Sequence, residues 1–196
     1  MIILGLTGSI GMGKSTAAAA LREMGVPVHD ADASVHRLMN HGGAAVGFIE
    51  AAFPGTALTG AVDRKELGRR VYEDPAELKR LESILHPMVR EQERIFLRTS
   101  RARGHPIVVL DIPLLYETGG EKRCDAVIVV TAPKFLQDQR VLKRPGMSRK
   151  RLDEIVSKQM PDAEKRARAD FVVPTGLGKR ASRAVLARIL KKLTGR

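Results

Sequence analysis

Eight residues near the N-terminus limit the fold more than any other stretch of the chain. Gly8-Ser9-Ile10-Gly11-Met12-Gly13-Lys14-Ser15 matches G-x-x-x-x-G-K-[ST] at every position. Glycines let the main chain curl so that successive N–H groups converge on phosphate oxygens, where a Cβ would intrude. The following helix directs its positive end at the same anion. Lys14 is suited to bridging terminal phosphates, and the Ser15 hydroxyl to ligating Mg²⁺. An apolar run from Ile2 to Thr7 precedes the loop, and an Ala-rich segment from Ser15 to Met24, stopped by Gly25, follows it. Strand, glycine loop and helix are the context the motif requires. A nucleoside triphosphate site is therefore expected.

The rest of the chain reads as alternating strands and helices. Val26-Pro27-Val28-His29 is a second short strand, Ile107 to Asp111 and Ala126 to Val130 are buried strands, and Phe171-Val172-Val173 is a fifth. Residues 33–53 and 63–103 are largely helical, with breaks at Gly42-Gly43, at Pro54-Gly55 and near Pro87. This alternation predicts an α/β fold with a five-stranded parallel sheet covered by helices on both faces. A length of 196 residues suits one domain, residues 1–196. Residues 54–103 are too long for an ordinary connection and read as a helical insertion, and residues 138–168, rich in Arg and Lys and broken by Pro145-Gly146, as a second excursion. The last helix, Lys179 to Leu193, carries Val185, Leu186, Ile189, Leu190 and Leu193 on one stripe, with Arg180, Arg188 and Lys191 opposite. Such a helix packs on its own sheet or lies on a membrane surface.

Charge narrows the partners only in part. Basic and acidic side chains number 3 and 4 in residues 1–60, 13 and 12 in residues 61–130, and 18 and 6 in residues 131–196. The whole surplus of +12 lies in the last third, a field that attracts polyanions or is simply solvated. With two Tyr, five Phe and no Trp, a stacking platform for single strands is poor, and nucleic acid is not the expected partner. No apolar run approaches the ~20 residues that span a bilayer, so no membrane association is expected. The N-terminal segment lacks a basic flank and cleavage site, and one cysteine, Cys124, fits a reducing cytoplasm.

Among proteins with such a loop, a GTPase is excluded by counting. The single Asn, Asn40, precedes His41 rather than a guanine-reading Lys, and none of the ten Asp is followed by Gly three residues on. A small-molecule kinase remains, with its acceptor pocket and lid built as insertions. Such an enzyme must hold an acceptor hydroxyl in line with the γ-phosphate. His29-Asp30-Ala31-Asp32, just past the second strand, is the best candidate. Alternation turns Asp30 and Asp32 the same way at the carboxyl end of the sheet, where ligands of open α/β folds bind. The alternative is that Asp32 only caps the helix after it.

At this point the sequence resembles the dephospho-coenzyme A kinase family. Leu6 to Thr16 is similar to its opening and Val28-His29-Asp30-Ala31-Asp32 to its acceptor motif. His86-Pro87-Met88-Val89-Arg90 and Asp111-Ile112-Pro113-Leu114-Leu115-Tyr116-Glu117 resemble its next two elements. Gln139-Arg140, Arg144 to Ser148, Gln159, Glu164-Lys165 and Ala169-Asp170 follow in the family's order.

The resemblance implies a P-loop kinase fold and the last step of coenzyme A synthesis, in which ATP phosphorylates the ribose 3′-hydroxyl of dephospho-coenzyme A. It implies that Gly8, Ser9, Ile10, Gly11, Met12, Gly13, Lys14, Ser15 and Thr16 hold ATP, with Ser15 on Mg²⁺. Asp32 becomes the carboxylate that orients or deprotonates the acceptor, with Thr7 beside it. Residues 138–168 become a basic lid and Arg140 its charge-neutralising arginine. His86, Arg90, Pro113, Leu114 and Leu115 take the coenzyme A side, in the insertion and the turn after the third strand. Each has a plain structural alternative: helix entry for His86, core packing for Leu114 and Leu115, a solvated side chain for Arg140. Asp111 ends a strand where a magnesium-organising carboxylate can sit. Two positions depart from the pattern: Met12 replaces a small residue, and Thr175 stands in place of an Asn.

Overall fold

Uncharged runs of aliphatic and β-branched residues form the strands where expected. The computed structural model describes residues 1–72 and 74–195. Its strands are β1 (Ile2–Thr7), β2 (Val28–Asp30), β3 (Ile107–Asp111), β4 (Ala126–Thr131) and β5 (Phe171–Pro174), in one sheet ordered β2-β3-β1-β4-β5. β1 is central. It runs parallel to β3, with Leu4 opposite Val109 and Leu6 opposite Asp111, and parallel to β4, with Leu6 opposite Ile128. The order changes direction at β1, so the loop at its carboxyl end lies at the switch point where ligands of open sheets collect. β2 is shorter than the sequence suggests. Pro27 precedes it and contributes only its carbonyl, which accepts from Val109 N at 2.9 Å.

The chain forms two compact units, Met1–His29 with Ser100–Arg196, and Asp30–Thr99. In the first, α1 (Lys14–Glu23) and a C-terminal helix (Lys179–Thr194) cover one face of the sheet. Leu4, Leu6, Ile128 and Val130 meet Leu21, Leu186 and Ile189 there. The apolar stripe of the C-terminal helix is thus part of the core, and Arg180, Arg188 and Lys191 remain exposed. On the other face Leu115, Tyr116, Val127 and Val129 pack with Met160 and Ala169.

The second unit holds α2 (Ala31–Met39), α3 (Val46–Ala52), α4 (Arg64–Tyr72) and most of α5 (Pro75–Ala102) around its own core of Leu38, Ile49, Phe53, Leu67, Leu81 and Leu85. It begins at Asp30, so it is larger than the segment 54–103 read from the sequence. The break expected near Pro87 does not occur: α5 runs through it. Leu81, Ile84, Leu85, Met88 and Val89 bury one continuous stripe across the proline. Pro87 lies on the exposed side, where water can solvate the carbonyl that loses its N–H partner.

The basic segment of the first unit resolves into α6 (Lys134–Leu142), α7 (Arg149–Ser157) and α8 (Asp162–Arg168), making the C-terminal helix α9. The bend at Pro145-Gly146 falls between α6 and α7, and Ser148 caps α7 through Arg151 N. Among the described residues no helix is long and apolar enough to cross a membrane.

Candidate active site

The loop between β1 and α1 is shaped by its glycines. Gly11 and Gly13 have φ of +77° and +94°, and a Cβ on Gly13 would lie 2.9 Å from Thr175 Oγ1. Another residue at either position requires the loop to be rebuilt. Gly13 is the N-cap of α1 and offers no side chain to the first N–H groups of the helix, which leaves them for an anion. Ser15 and Thr16 are exposed in that first turn, and Ser9 is buried.

Three consecutive carbonyls of the loop are gripped from outside by three side chains. Ile10 O accepts from Gln137 Nε2 at 2.8 Å, Gly11 O from Arg140 Nη1 at 3.2 Å, and Met12 O from Thr175 Oγ1 at 2.6 Å. The Ile10 N–H donates to Gln159 Oε1 at 3.0 Å. Both departures from the family pattern belong to this arrangement. The Met12 side chain is buried in the core and its Sδ accepts the Ala132 N–H at 3.1 Å, so a long residue fits by turning away from the cradle. Thr175 is buried, and besides holding Met12 it accepts from Arg140 Nη1 at 3.1 Å and Nη2 at 2.9 Å, through Oγ1 and its carbonyl.

Lys14 Nζ lies 2.7 Å from Asp111 Oδ1, and the Asp111 side chain is only 2% exposed. The pairing register explains the contact, because Asp111 ends β3 opposite Leu6, one residue before β1 stops. Thr7 and Pro113, both assigned to the acceptor side, are brought together: Thr7 is fully buried and its Oγ1 donates to Pro113 O at 2.9 Å. The two leucines part company. Leu115 is fully buried beneath the turn, and Leu114 is 40% exposed.

In the second unit α2 begins at Ala31, directly after β2, so strand alternation does not govern Asp32. Asp30 is the N-cap: its Oδ1 accepts from Ala33 N at 2.9 Å. Asp32 sits exposed in the first turn and has no hydrogen-bond or ion-pair partner among the described residues. His86 and Arg90, one turn apart on α5, are both exposed, so His86 is inside a helix rather than at its entry.

Sequence reasoning gave no role to two polar residues that the fold holds in place. Gln137 is one of them. The other is Lys165, fully buried, whose Nζ lies 2.8 Å from Glu117 Oε1. Glu117 Oε1 also accepts the Met160 N–H at 2.8 Å. Burial pushes the Glu117 carboxyl up, but the Lys165 ammonium and the surrounding N–H groups outweigh it and hold the group below the ordinary carboxylate range. The pair therefore contributes stability at neutral pH that is lost as pH falls through this lowered value. Lys165→Met leaves a buried carboxylate without its cation, and a loss of about 3 kcal/mol is expected. In the variant only the main-chain N–H groups still oppose burial, so the carboxyl rises from its lowered value. Melting curves from pH 7 to 4 check this: the gap between variant and parent narrows on acidification, and the double change Lys165→Met with Glu117→Leu recovers most of the loss.

The loop and the buried carboxylate beside its lysine lie in a sequence and fold that known proteins resemble. The sequence model for dephospho-CoA kinase matches residues 2–177. A dephospho-CoA kinase of Mesorhizobium japonicum is 56% identical over 195 residues, covering 100% of this chain and 98% of its own length. Among solved structures, a Thermus thermophilus protein is 39% identical with a TM-score of 0.81, covering 97% of both chains. The dephospho-CoA kinase of Campylobacter jejuni, 23% identical and aligned over 97% of this chain and 96% of its own, has a TM-score of 0.67 and so shares the fold. With a family model spanning nearly the whole chain and a relative identical at more than half its positions, this protein belongs to the dephospho-CoA kinases, which use ATP to phosphorylate dephospho-coenzyme A in the final step of coenzyme A synthesis.

Proposed function

We propose that the residues of this chain divide the family's reaction as follows. The loop Gly8 to Thr16 holds the triphosphate of ATP through its N–H groups and Lys14, which exchanges its contact with Asp111 for phosphate oxygens. The observation that carries this reading is the Lys14–Asp111 pair, 2.7 Å apart at the end of β1 and β3. It keeps the ammonium extended beside the loop before any anion arrives. Mg²⁺ suits the oxygen donors there: Ser15 would hold it, with the Asp111 carboxylate near Lys14, and when bound it neutralises charge on the phosphates.

On the acceptor side, Asp32 orients the ribose 3′-hydroxyl or takes its proton, in keeping with a carboxylate that has no structural bond to make. Pro113 and the exposed Leu114 line the approach, the buried Thr7 fixes Pro113 through its hydroxyl, Leu115 supports their turn from beneath, and His86 and Arg90 meet the coenzyme A end. Arg140 donates three of its five N–H groups to Gly11 and Thr175. The remaining two are available to the transferring phosphoryl group, where charge builds up. The proposed setting is the reducing cytoplasm, which suits a chain whose single cysteine is Cys124.

An assay of ATP consumption across a panel of acceptors tests the assignment. Dephospho-coenzyme A should be turned over far faster than nucleosides, sugars or shikimate. Equal turnover of another acceptor would make this a kinase of different specificity. A salt-sensitive gel shift with nucleic acid and no turnover would remove the kinase reading altogether.

A further inference from the structure

We infer that Gln137 and Gln159 are positioning residues for nucleotide binding: they fix the two peptide planes on either side of Ile10. Gln137 lies in α6, one residue before the basic segment 138–168, and Gln159 lies within that segment, just after α7. Both reach the same residue with opposite polarity. Gln137 Nε2 donates to Ile10 O at 2.8 Å, and Ile10 N donates to Gln159 Oε1 at 3.0 Å.

The consequence follows from peptide geometry. A trans peptide is planar, and its C=O and N–H point in opposite directions. Gripping the Ile10 carbonyl from outside therefore turns the Gly11 N–H toward the inside of the loop. Gripping the Ile10 N–H turns the Ser9 carbonyl inward, where it accepts the Met12 N–H at 3.1 Å and closes the loop's own turn. Without the Gln137 grip the Ile10–Gly11 peptide is free to rotate and present its carbonyl to the phosphates, and without the Gln159 grip the Ser9–Ile10 peptide keeps only the Ser9 carbonyl's bond to Met12 N–H to hold the turn closed.

The grips are themselves fixed. Gln137 is 6% exposed, and its own N–H donates to Pro133 O at 3.1 Å. On the other side the Met160 N–H is held by Glu117, and Asp162 Oδ2 accepts from Thr131 Oγ1 at 2.8 Å. Both glutamine-bearing segments are thereby tied to the sheet, and the loop takes its shape from them. A sequence match to the glycine loop contains nothing of this, because the residues that set its donors lie more than a hundred positions away.

The inference rests on Gly8 to Ser15 being the ATP cradle, and the test separates the two. ATP binding is measured by titration calorimetry, with steady-state KM for ATP, KM for dephospho-coenzyme A and kcat, on Gln137→Met, Gln159→Lys and Gln159→Glu. Gln137→Met removes the donor with little change in size, and Gln159→Lys sets a donor against the Ile10 N–H. Each is expected to weaken ATP about tenfold, the scale of one lost hydrogen bond, with KM for the acceptor unchanged. Gln159→Glu keeps an acceptor and should retain most of the affinity that Gln159→Lys loses.

That order is the reverse of what charge alone dictates, since a lysine beside a triphosphate attracts it and a glutamate repels it. Tighter ATP binding by Gln159→Lys than by Gln159→Glu would overturn the inference. So would a Gln137→Met protein that melts like the parent and binds ATP within twofold of it. A parent enzyme that binds no ATP would instead overturn the reading of the loop.

Discussion

Lys14→Ala is expected to lower kcat/KM by on the order of a thousandfold and, separately, to destabilise the fold. The first effect is the loss of a charged donor aimed at phosphate oxygens, a contribution usually worth two to three orders of magnitude in a site closed to water. The second comes from the partner left behind. Asp111 is 2% exposed and lies 2.7 Å from Lys14, so the substitution takes the ammonium away from a carboxylate that water hardly reaches. Breaking a buried pair from one side costs about 3 kcal/mol or more. Adding Asp111→Asn to Lys14→Ala removes the buried negative charge, and thermal melts should then return most of the way to the parent while turnover stays lost. The two readouts must therefore separate. A double variant that regained activity together with stability would mean that Lys14 serves the fold alone, and unaltered kinetics in Lys14→Ala would contradict the site.

How much of this was open to sequence reasoning depends on the distance over which each residue acts. The phosphate loop was legible because its chemistry is local: eight consecutive residues carry the turn, the donors and the charge. The strands were legible for a similar reason, since a fully buried parallel strand must be apolar over its whole length, as Ile107 to Leu110 are. Pro87 misled because the local rule, that proline stops a helix, is outweighed by an apolar stripe running through both of its neighbouring turns. Asp30 and Asp32 show the same limit on a smaller scale. Both are good cap residues, and only the point where α2 begins decides that Asp30 takes the Ala33 N–H.

Gln137 and Lys165 were beyond reach for another reason. A glutamine or lysine on a helix is ordinary in composition, and its importance lies in a main-chain carbonyl or a carboxylate contributed from far along the chain. Glu117 and Lys165 did stand in the ordered pattern that resembles the family. No property of either residue alone indicated that the two form a buried pair.

Asp32→Asn should remove most phosphoryl transfer, by about two to four orders of magnitude in kcat, the range over which a positioned base acts. ATP binding should be kept, because the nucleotide is held by the loop. The fold should be kept too, and here the structure sharpens the test. Asp32 does not cap α2, so its amide variant loses only the interaction of a negative charge with the helix N-terminus, at most about 1 kcal/mol. Asp30→Ala provides the contrast: it removes the hydrogen bond to Ala33 N and should cost about 1 kcal/mol of stability. Melting temperature and kcat measured on both proteins therefore sort the two carboxylates. If Asp32→Asn turns over at close to the parent rate, Asp32 is only a favourable charge in the first turn of a helix, and the acceptor hydroxyl is prepared by a different group.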